Sequence, residues 1–244
     1  MNLNYKEFVS RVKEEFNNNI KSIPSEWKVS KKLADKITED GSMNDFYGST
    51  SVIKLSEEDR NKCIALRDEL YKNNNDMLVR LHSKTFHLTI HAFCNVYNVS
   101  KDKKEIKRKM DSIEGDIKEL FAQFNREYGK KTIRLKVLGP STSGSDVVSI
   151  KFIPDSEKDH NILYDLFNRC EKLFPLNKPF TPHVSLGYFK LKKYTKDEIQ
   201  RLYYDIKKVS DNSGFYIELP VGDLAYQHHY HMNDFRDVFM VKDC

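Results

Sequence analysis

Two stretches limit what this chain can fold into. One is Phe86-His87-Leu88-Thr89-Ile90-His91-Ala92-Phe93; the other is Thr181-Pro182-His183-Val184-Ser185-Leu186-Gly187-Tyr188. Each is apolar enough to be an inner strand, and each carries a histidine followed two residues later by a hydroxyl. Side chains alternate faces along a strand. His87 and Thr89 therefore share a face, as do His183 and Ser185, while Leu88 and Val184 point the other way into a core. We expect the two pairs to converge on one phosphate.

The 244 residues are enough for one large domain, or for two lobes sharing a core. A net charge of +5 is compatible with an anionic ligand, and the chain has no polybasic nucleic-acid arm. No apolar run approaches the roughly 20 residues that span a bilayer. The first residues, Met1 to Phe8, lack the apolar core and cleavage site of a signal peptide. Cys63, Cys94, Cys170 and Cys244 are scattered without CxxC or metal spacing, the pattern of reduced thiols in a cytoplasmic protein.

Along the chain, Phe8, Val12, Phe16 and Ile20 recur at i, i+4 and predict an amphipathic helix over 4–21. Pro24 ends it, and Ser25 is placed to cap a second helix to about Ile37. These helices form an extension over residues 1–40; the main domain is expected over 41–244. A strand over 46–55 is followed by a helix from Ser56, then by a loop through Met77–Leu81 into the His87 strand. A helix from Lys104 to Tyr128 keeps apolar residues on one face. Strands over 132–138 and 147–153 are joined by the turn-rich stretch 139–146. A helix over 157–174, the His183 strand and a helix from Thr195 to about Val209 come next. Two strands, 215–226 and 235–241, close the chain, with His228, His229 and His231 near their connection. The order strand, helix, histidine strand, helix occurs twice. This predicts an α+β fold: two-lobed, duplicated antiparallel sheets with flanking helices around a central groove, preceded by N-terminal helices.

Two histidines and two hydroxyls have a definite chemistry. Histidine titrates near neutral pH, so one ring can accept a proton while the other donates one. Hydroxyls can donate to non-bridging phosphate oxygens, and an imidazolium can offset charge building on a phosphorane. The set suits in-line attack on a phosphodiester without metal or other cofactor. It suits acyl transfer poorly, because no serine or cysteine has a nucleophile-elbow context.

On His87-Leu88-Thr89 and Phe180-Thr181-Pro182-His183-Val184-Ser185-Leu186-Gly187-Tyr188, the chain resembles the 2H phosphoesterase superfamily, the 2′-5′ RNA ligase-like and cyclic nucleotide phosphodiesterases. The stretch Asp40-Gly41-Ser42, Phe46-Tyr47-Gly48-Ser49-Thr50 and Ser83-Lys84-Thr85 looks like an uncharacterised microbial subgroup of it. The resemblance covers roughly residues 40–240. It implies a groove lined by both motifs, His87 and His183 as the acid–base pair, and Thr89 and Ser185 as phosphate binders. It also implies a nucleotide, cyclic nucleotide or oligoribonucleotide substrate. RNA ligase-like members often carry an arginine shortly after the second motif, where this chain has Tyr188. The alternatives are a non-catalytic nucleotide- or RNA-binding module of the same fold, and a metal-dependent hydrolase centred on the late histidines.

Other residues are weighed by position. By alternation His91 shares the face of His87 and Thr89 and is expected at the groove, supporting the site or contacting substrate. Tyr47 and Tyr226 are candidates for stacking on a base, whereas Tyr188 is expected to face away. Lys84 and Arg134 are candidates for positive charge at the phosphate. His229 and His231 have a chelating i, i+2 spacing, but only Asp234 stands by them as a further ligand, so no metal site is expected.

Overall fold

A computed structural model describes residues 3–143 and 146–244. The tip of the 139–146 connection, at Gly144 and Ser145, lies outside the described residues. Helix α1 (Tyr5–Lys21) opens with a capping box of Asn4 and Glu7 and buries Phe8, Val12 and Phe16. The chain then runs through strand β1 (Gly48–Lys54), helix α2 (Glu57–Asn74), strand β2 (Leu78–Arg80) and strand β3 (His87–Ala92). Helix α3 (Lys103–Tyr128), strands β4 (Thr132–Ser143) and β5 (Val147–Pro154) and helix α4 (Glu157–Leu173) follow. The last elements are β6 (His183–Phe189), α5 (Lys196–Asp211), β7 (Tyr216–Pro220), β8 (Leu224–His231) and β9 (Asp234–Met240).

The strands form two antiparallel sheets, in the orders β3-β1-β8-β9 and β2-β6-β5-β4-β7. Each motif strand pairs with the strand that precedes its crossover helix, β3 with β1 and β6 with β5. The third and fourth positions are taken by β8 and β9 in one lobe and by β4 and β7 in the other. The fold is thus α+β and two-lobed, and β3 and β6 lie against each other where the lobes meet.

Three segments differ from the sequence expectation. The helix expected over 25–37 is only a single 3-10 turn, Lys31–Asp35, capped by Ser30. Its large side chains go to separate anchors: Trp27 packs on Phe189 and Tyr203, while Leu33 is buried in the core. Those anchors outweigh a weak helical propensity. The expected loop at 77–81 contains β2, which extends the second sheet from the edge of β6. The expected strand 215–226 is divided at Pro220, so β7 joins the second sheet and β8 the first. His228 and His229 consequently lie within β8, and His231 ends it, opposite Asp234 across the connection to β9.

Phe8, Val12, Trp27, Leu33 and Ile37, all before residue 40, belong to the same interior. Phe8 packs on His160, Tyr164 and Phe180 at ring distances of 5.0, 5.5 and 6.3 Å. Burying each such side chain contributes roughly 1.5–3 kcal/mol.

Candidate active site

The two motifs meet in one cavity of ≈ 580 Å³, whose lining includes His87, Thr89, His183 and Ser185. A larger cleft of ≈ 830 Å³ lies elsewhere, but its cations are already paired with carboxylates. Lys54 is paired with Asp237, Lys62 with Asp59, Lys242 with Asp223 and Arg134 with Asp155. The smaller cavity holds the groups able to move protons.

His183 is held from its own backbone. His183 Nδ1 lies 2.8 Å from the Thr181 carbonyl oxygen. A carbonyl only accepts, so Nδ1 carries the proton and Nε2 is the basic nitrogen. At His87 the backbone of Thr85, again two residues earlier, favours the protonated ring, against the larger effect of burial. A lysine stands cross-strand from each histidine, Lys54 from His87 and Lys151 from His183. The sequence carries this echo as Ser51-Val52-Ile53-Lys54 and Val148-Ser149-Ile150-Lys151.

Burial pushes the His87 imidazole down to about 4, and the Lys54 charge acts in the same direction. Burial likewise pushes His183 down to about 4, followed by the charge of Lys151. Both rings are therefore neutral at pH 7. Lys151 is 2 % exposed and 3.8 Å from Glu15 of α1. Helix α1 also braces the turn before His183. Arg11 donates to Thr181 Oγ1 at 3.1 Å and to the Phe180 carbonyl, and Thr181 Oγ1 donates to Glu15 at 2.8 Å. The segment outside the family resemblance thus holds one of the two motifs in place.

Both motif strands carry a β-bulge immediately after the hydroxyl. Opposite β1, pairing jumps from Val52↔Thr89 to Ser51↔His91, leaving Ile90 as the extra residue. Opposite β5, it jumps from Ser149↔Ser185 to Val148↔Gly187, leaving Leu186 extra. A bulge shifts the alternation by one. His91 accordingly leaves the groove: it is 2 % exposed, sits 2.9 Å from Glu171 and packs on Phe93, Phe167 and Phe174. Ala92 takes the groove face in its place, and in the other strand Tyr188 lines the cavity instead of facing away.

The other sequence candidates are also placed elsewhere. Tyr47 packs on Tyr230, and its neighbour Phe46 faces the cavity, one residue out of the expected register. Tyr226 pairs with Ser51 and is fully buried against Phe93 and Phe239, on the side away from the groove. Lys84 is exposed and outside the cavity lining, although Thr85 belongs to it. Arg134 lies in the other cleft, stacked over Tyr216 at 4.0 Å.

A third histidine, His229, lines the groove. Its Nδ1 donates to the Phe46 carbonyl at 2.6 Å, and its ring stacks on Phe46 at 5.5 Å. It is paired across the sheet with Gly48. A Cβ at Gly48 would lie 2.8 Å from the His229 ring and 2.0 Å from the Cys94 carbonyl oxygen. That glycine, inside an inner strand, was the available sign that something approaches closely. Among the described residues, no group of three His, Cys, Asp or Glu side chains is disposed to hold a metal ion. No helix among them is long and apolar enough to cross a membrane.

Burial pushes His229 down to about 4 from its ordinary 6.5. Between these values the unfolded chain binds a proton that the folded chain refuses. Stability therefore falls as pH drops from 6.5 toward 4 and is level above. For this ring alone the loss approaches about 2 kcal/mol by pH 5. Urea unfolding at pH 7 and pH 5 measures it, and His229→Asn, whose amide can still donate to Phe46, is expected to flatten the slope.

No family model matches the chain, and no curated protein matches it. Solved structures do. Two of them, TT0787 of Thermus thermophilus and LigT of E. coli complexed with 3′-AMP, both give TM-scores of 0.47. TT0787 is 13% identical over 78% of this chain and 94% of its own; LigT is 12% identical over 80% and 96%. The conserved protein of unknown function ATU0111 from Agrobacterium tumefaciens strain C58 gives a TM-score of 0.66 at 11% identity. That match covers 93% of this chain and 99% of the other, so the chain has the fold of ATU0111 along nearly the whole length of both.

Proposed function

We propose that this chain is a 2H phosphoesterase-type enzyme that cleaves or opens a phosphodiester in a nucleotide, cyclic nucleotide or oligoribonucleotide, using its two motif histidines and no metal. The observation that carries this reading is the convergence of His87, Thr89, His183 and Ser185 on one cavity from two strands far apart in sequence. The cavity's ≈ 580 Å³ is in the range that accepts a nucleotide. Phe235, edge-on to His87 at 4.9 Å, and Met232 provide an apolar wall for a base.

In the reaction, one neutral imidazole takes the proton of the attacking water or ribose hydroxyl through Nε2. A P–O bond forms in line with the one that breaks. The other imidazole, protonated once a phosphate anion is bound beside it, gives its proton to the leaving oxygen. Thr89 and Ser185 donate to the non-bridging oxygens, whose charge grows in the transition state. The unpaired thiols of Cys63, Cys94 and Cys170, all buried, suit a cytoplasmic setting for this chemistry.

The test is turnover of a panel of 2′,3′-cyclic, 3′,5′-cyclic and 2′-5′-linked nucleotides in EDTA. Product from at least one class is expected. Tight binding across the panel with no product on long incubation would instead identify a non-catalytic nucleotide-binding module. Activity that needs added metal would overturn the two-histidine mechanism.

A further inference from the structure

The motif strands bring to the groove two neutral rings and two hydroxyls, but no fixed positive charge. The lysines cross-strand from the histidines are already engaged: Lys54 with Asp237 at 2.6 Å and Lys151 with Glu15 at 3.8 Å. A phosphodiester carries a full negative charge and gains more as it reacts, so a cation at the phosphoryl oxygens is the missing part.

The segment between α1 and β1 carries one. It starts on the second lobe, where Trp27 packs on Phe189 at 4.6 Å. It crosses to the first lobe, where the Tyr97 hydroxyl donates to the Lys32 carbonyl at 2.5 Å and the Phe46 N–H donates to the Tyr230 carbonyl at 2.7 Å. Midway along this crossing, Lys36 lines the same cavity as His87 and His183. Its ammonium lies over three rings, Tyr188 at 5.2 Å, Phe46 at 5.4 Å and Tyr97 at 5.9 Å. The rings come from the second motif strand, the approach to β1 and the loop after β3. Aromatic faces hold a cation in place without neutralising it.

Lys36 has no ion-pair partner among the described residues. Asp146 and Asp35 are the acids whose fields favour its charge, and neither is within ion-pair distance. Burial pulls its pKa down, and its charge in turn helps depress both His183 and His229. Lys32 and Lys178 also border the cavity, but both are exposed to water. A partly buried ammonium with no carboxylate in ion-pair contact, beside two proton-transfer groups, is stabilised by an anion arriving in the groove.

We propose that Lys36, held by the cage of Phe46, Tyr97 and Tyr188, is the cationic contact for the phosphoryl oxygens of the substrate. This rests on the phosphodiester reading of the groove. It also gives the crossing segment a role: it completes the site from outside the two motif strands. Tyr188, from the second motif strand, forms part of the cage that holds this cation.

The experiment measures inorganic phosphate binding by calorimetry for the full chain and for Lys36→Met, Lys36→Arg and, as a surface control, Lys118→Met. Turnover of the nucleotide panel is measured alongside. Loss of one charge-assisted contact is expected to weaken phosphate binding about ten- to a hundredfold in Lys36→Met. Lys36→Arg keeps most of the affinity, and Lys118→Met matches the parent. If the parent turns over a nucleotide, kcat/KM for Lys36→Met falls by a similar factor. Unchanged phosphate affinity and unchanged kcat/KM in Lys36→Met overturn the assignment of Lys36 while leaving the phosphodiesterase reading intact. A lower Tm with affinity retained also overturns it, marking Lys36 as structural. Absence of nucleotide turnover with phosphate binding still dependent on Lys36 does the reverse: the catalytic reading fails and the Lys36 site stands. Should Lys36→Met not fold, the 15Nζ resonance of Lys36 in the parent protein gives the answer. It shifts on adding phosphate if the proposal holds, and a resonance that does not move overturns it.

Discussion

Replacing His87 or His183 by alanine is expected to lower kcat on any nucleotide the protein turns over by about 10²- to 10⁴-fold, the usual worth of a positioned acid or base. The double variant is expected to be little worse than either single one, because the two rings serve one proton-transfer event. Stability is expected to hold. Both rings are half-buried at the groove wall, and removing an imidazole kept neutral by burial relieves acid sensitivity rather than creating a defect. Thermal unfolding and steady-state kinetics on the same preparations check this. Retained activity in both single variants would remove these residues from the mechanism.

On the proposed mechanism the same pair sets the pH profile. That mechanism needs one ring protonated and one neutral, yet both are pushed down to about 4 in the free protein. Above that value the protonated fraction falls about tenfold per pH unit, so kcat/KM is expected to decline from about pH 5 to pH 8. A bound phosphate anion raises the affinity of its neighbouring ring for a proton. The optimum of kcat is therefore displaced to higher pH than that of kcat/KM. The two values describe a coupled pair and are not assigned to one ring each.

Gly48→Ala is expected to be strongly disruptive. The added methyl would meet the Cys94 carbonyl oxygen at 2.0 Å and the His229 ring at 2.8 Å. That carbonyl cannot simply withdraw, because it accepts the Ser49 N–H at 2.8 Å and ties β1 to the chain after β3. A loss of about 3 kcal/mol is expected, at the upper end of overpacking penalties. In a chain of this size that corresponds to a fall in Tm of about 6–12 °C. A variant melting within a degree or two of the parent would mean that neither close approach exists.

Much of the groove is legible in the chain, and the parts that are not have physical reasons. His87 with Thr89 and His183 with Ser185 come out correctly because two residues along a regular strand always share a face. His91 and Tyr188 come out wrongly because the bulges at Ile90 and Leu186 lie between them and their motifs. A bulge is a property of a strand pair, and the sequence of one strand does not announce it. Phe46 and Tyr47 are exchanged for a simpler reason: two adjacent aromatics at a strand entrance leave the register open until the partner strand is known. His229 went unassigned because dividing the strand at Pro220 places it in the middle of β8, opposite Gly48.

By itself, the sequence determined the amphipathic helices, the two apolar motif strands and the shared face of each imidazole with its hydroxyl. These depend on φ/ψ periodicity among neighbouring residues and need nothing from the rest of the chain. Only the tertiary structure decided that the two faces meet, that α1 braces Thr181, that His229 joins the pair and that Lys36 crosses from outside the motifs into a three-ring cage. These follow from contacts between segments far apart in the chain. Such contacts are settled by which surfaces can bury one another, and no local pattern records that choice.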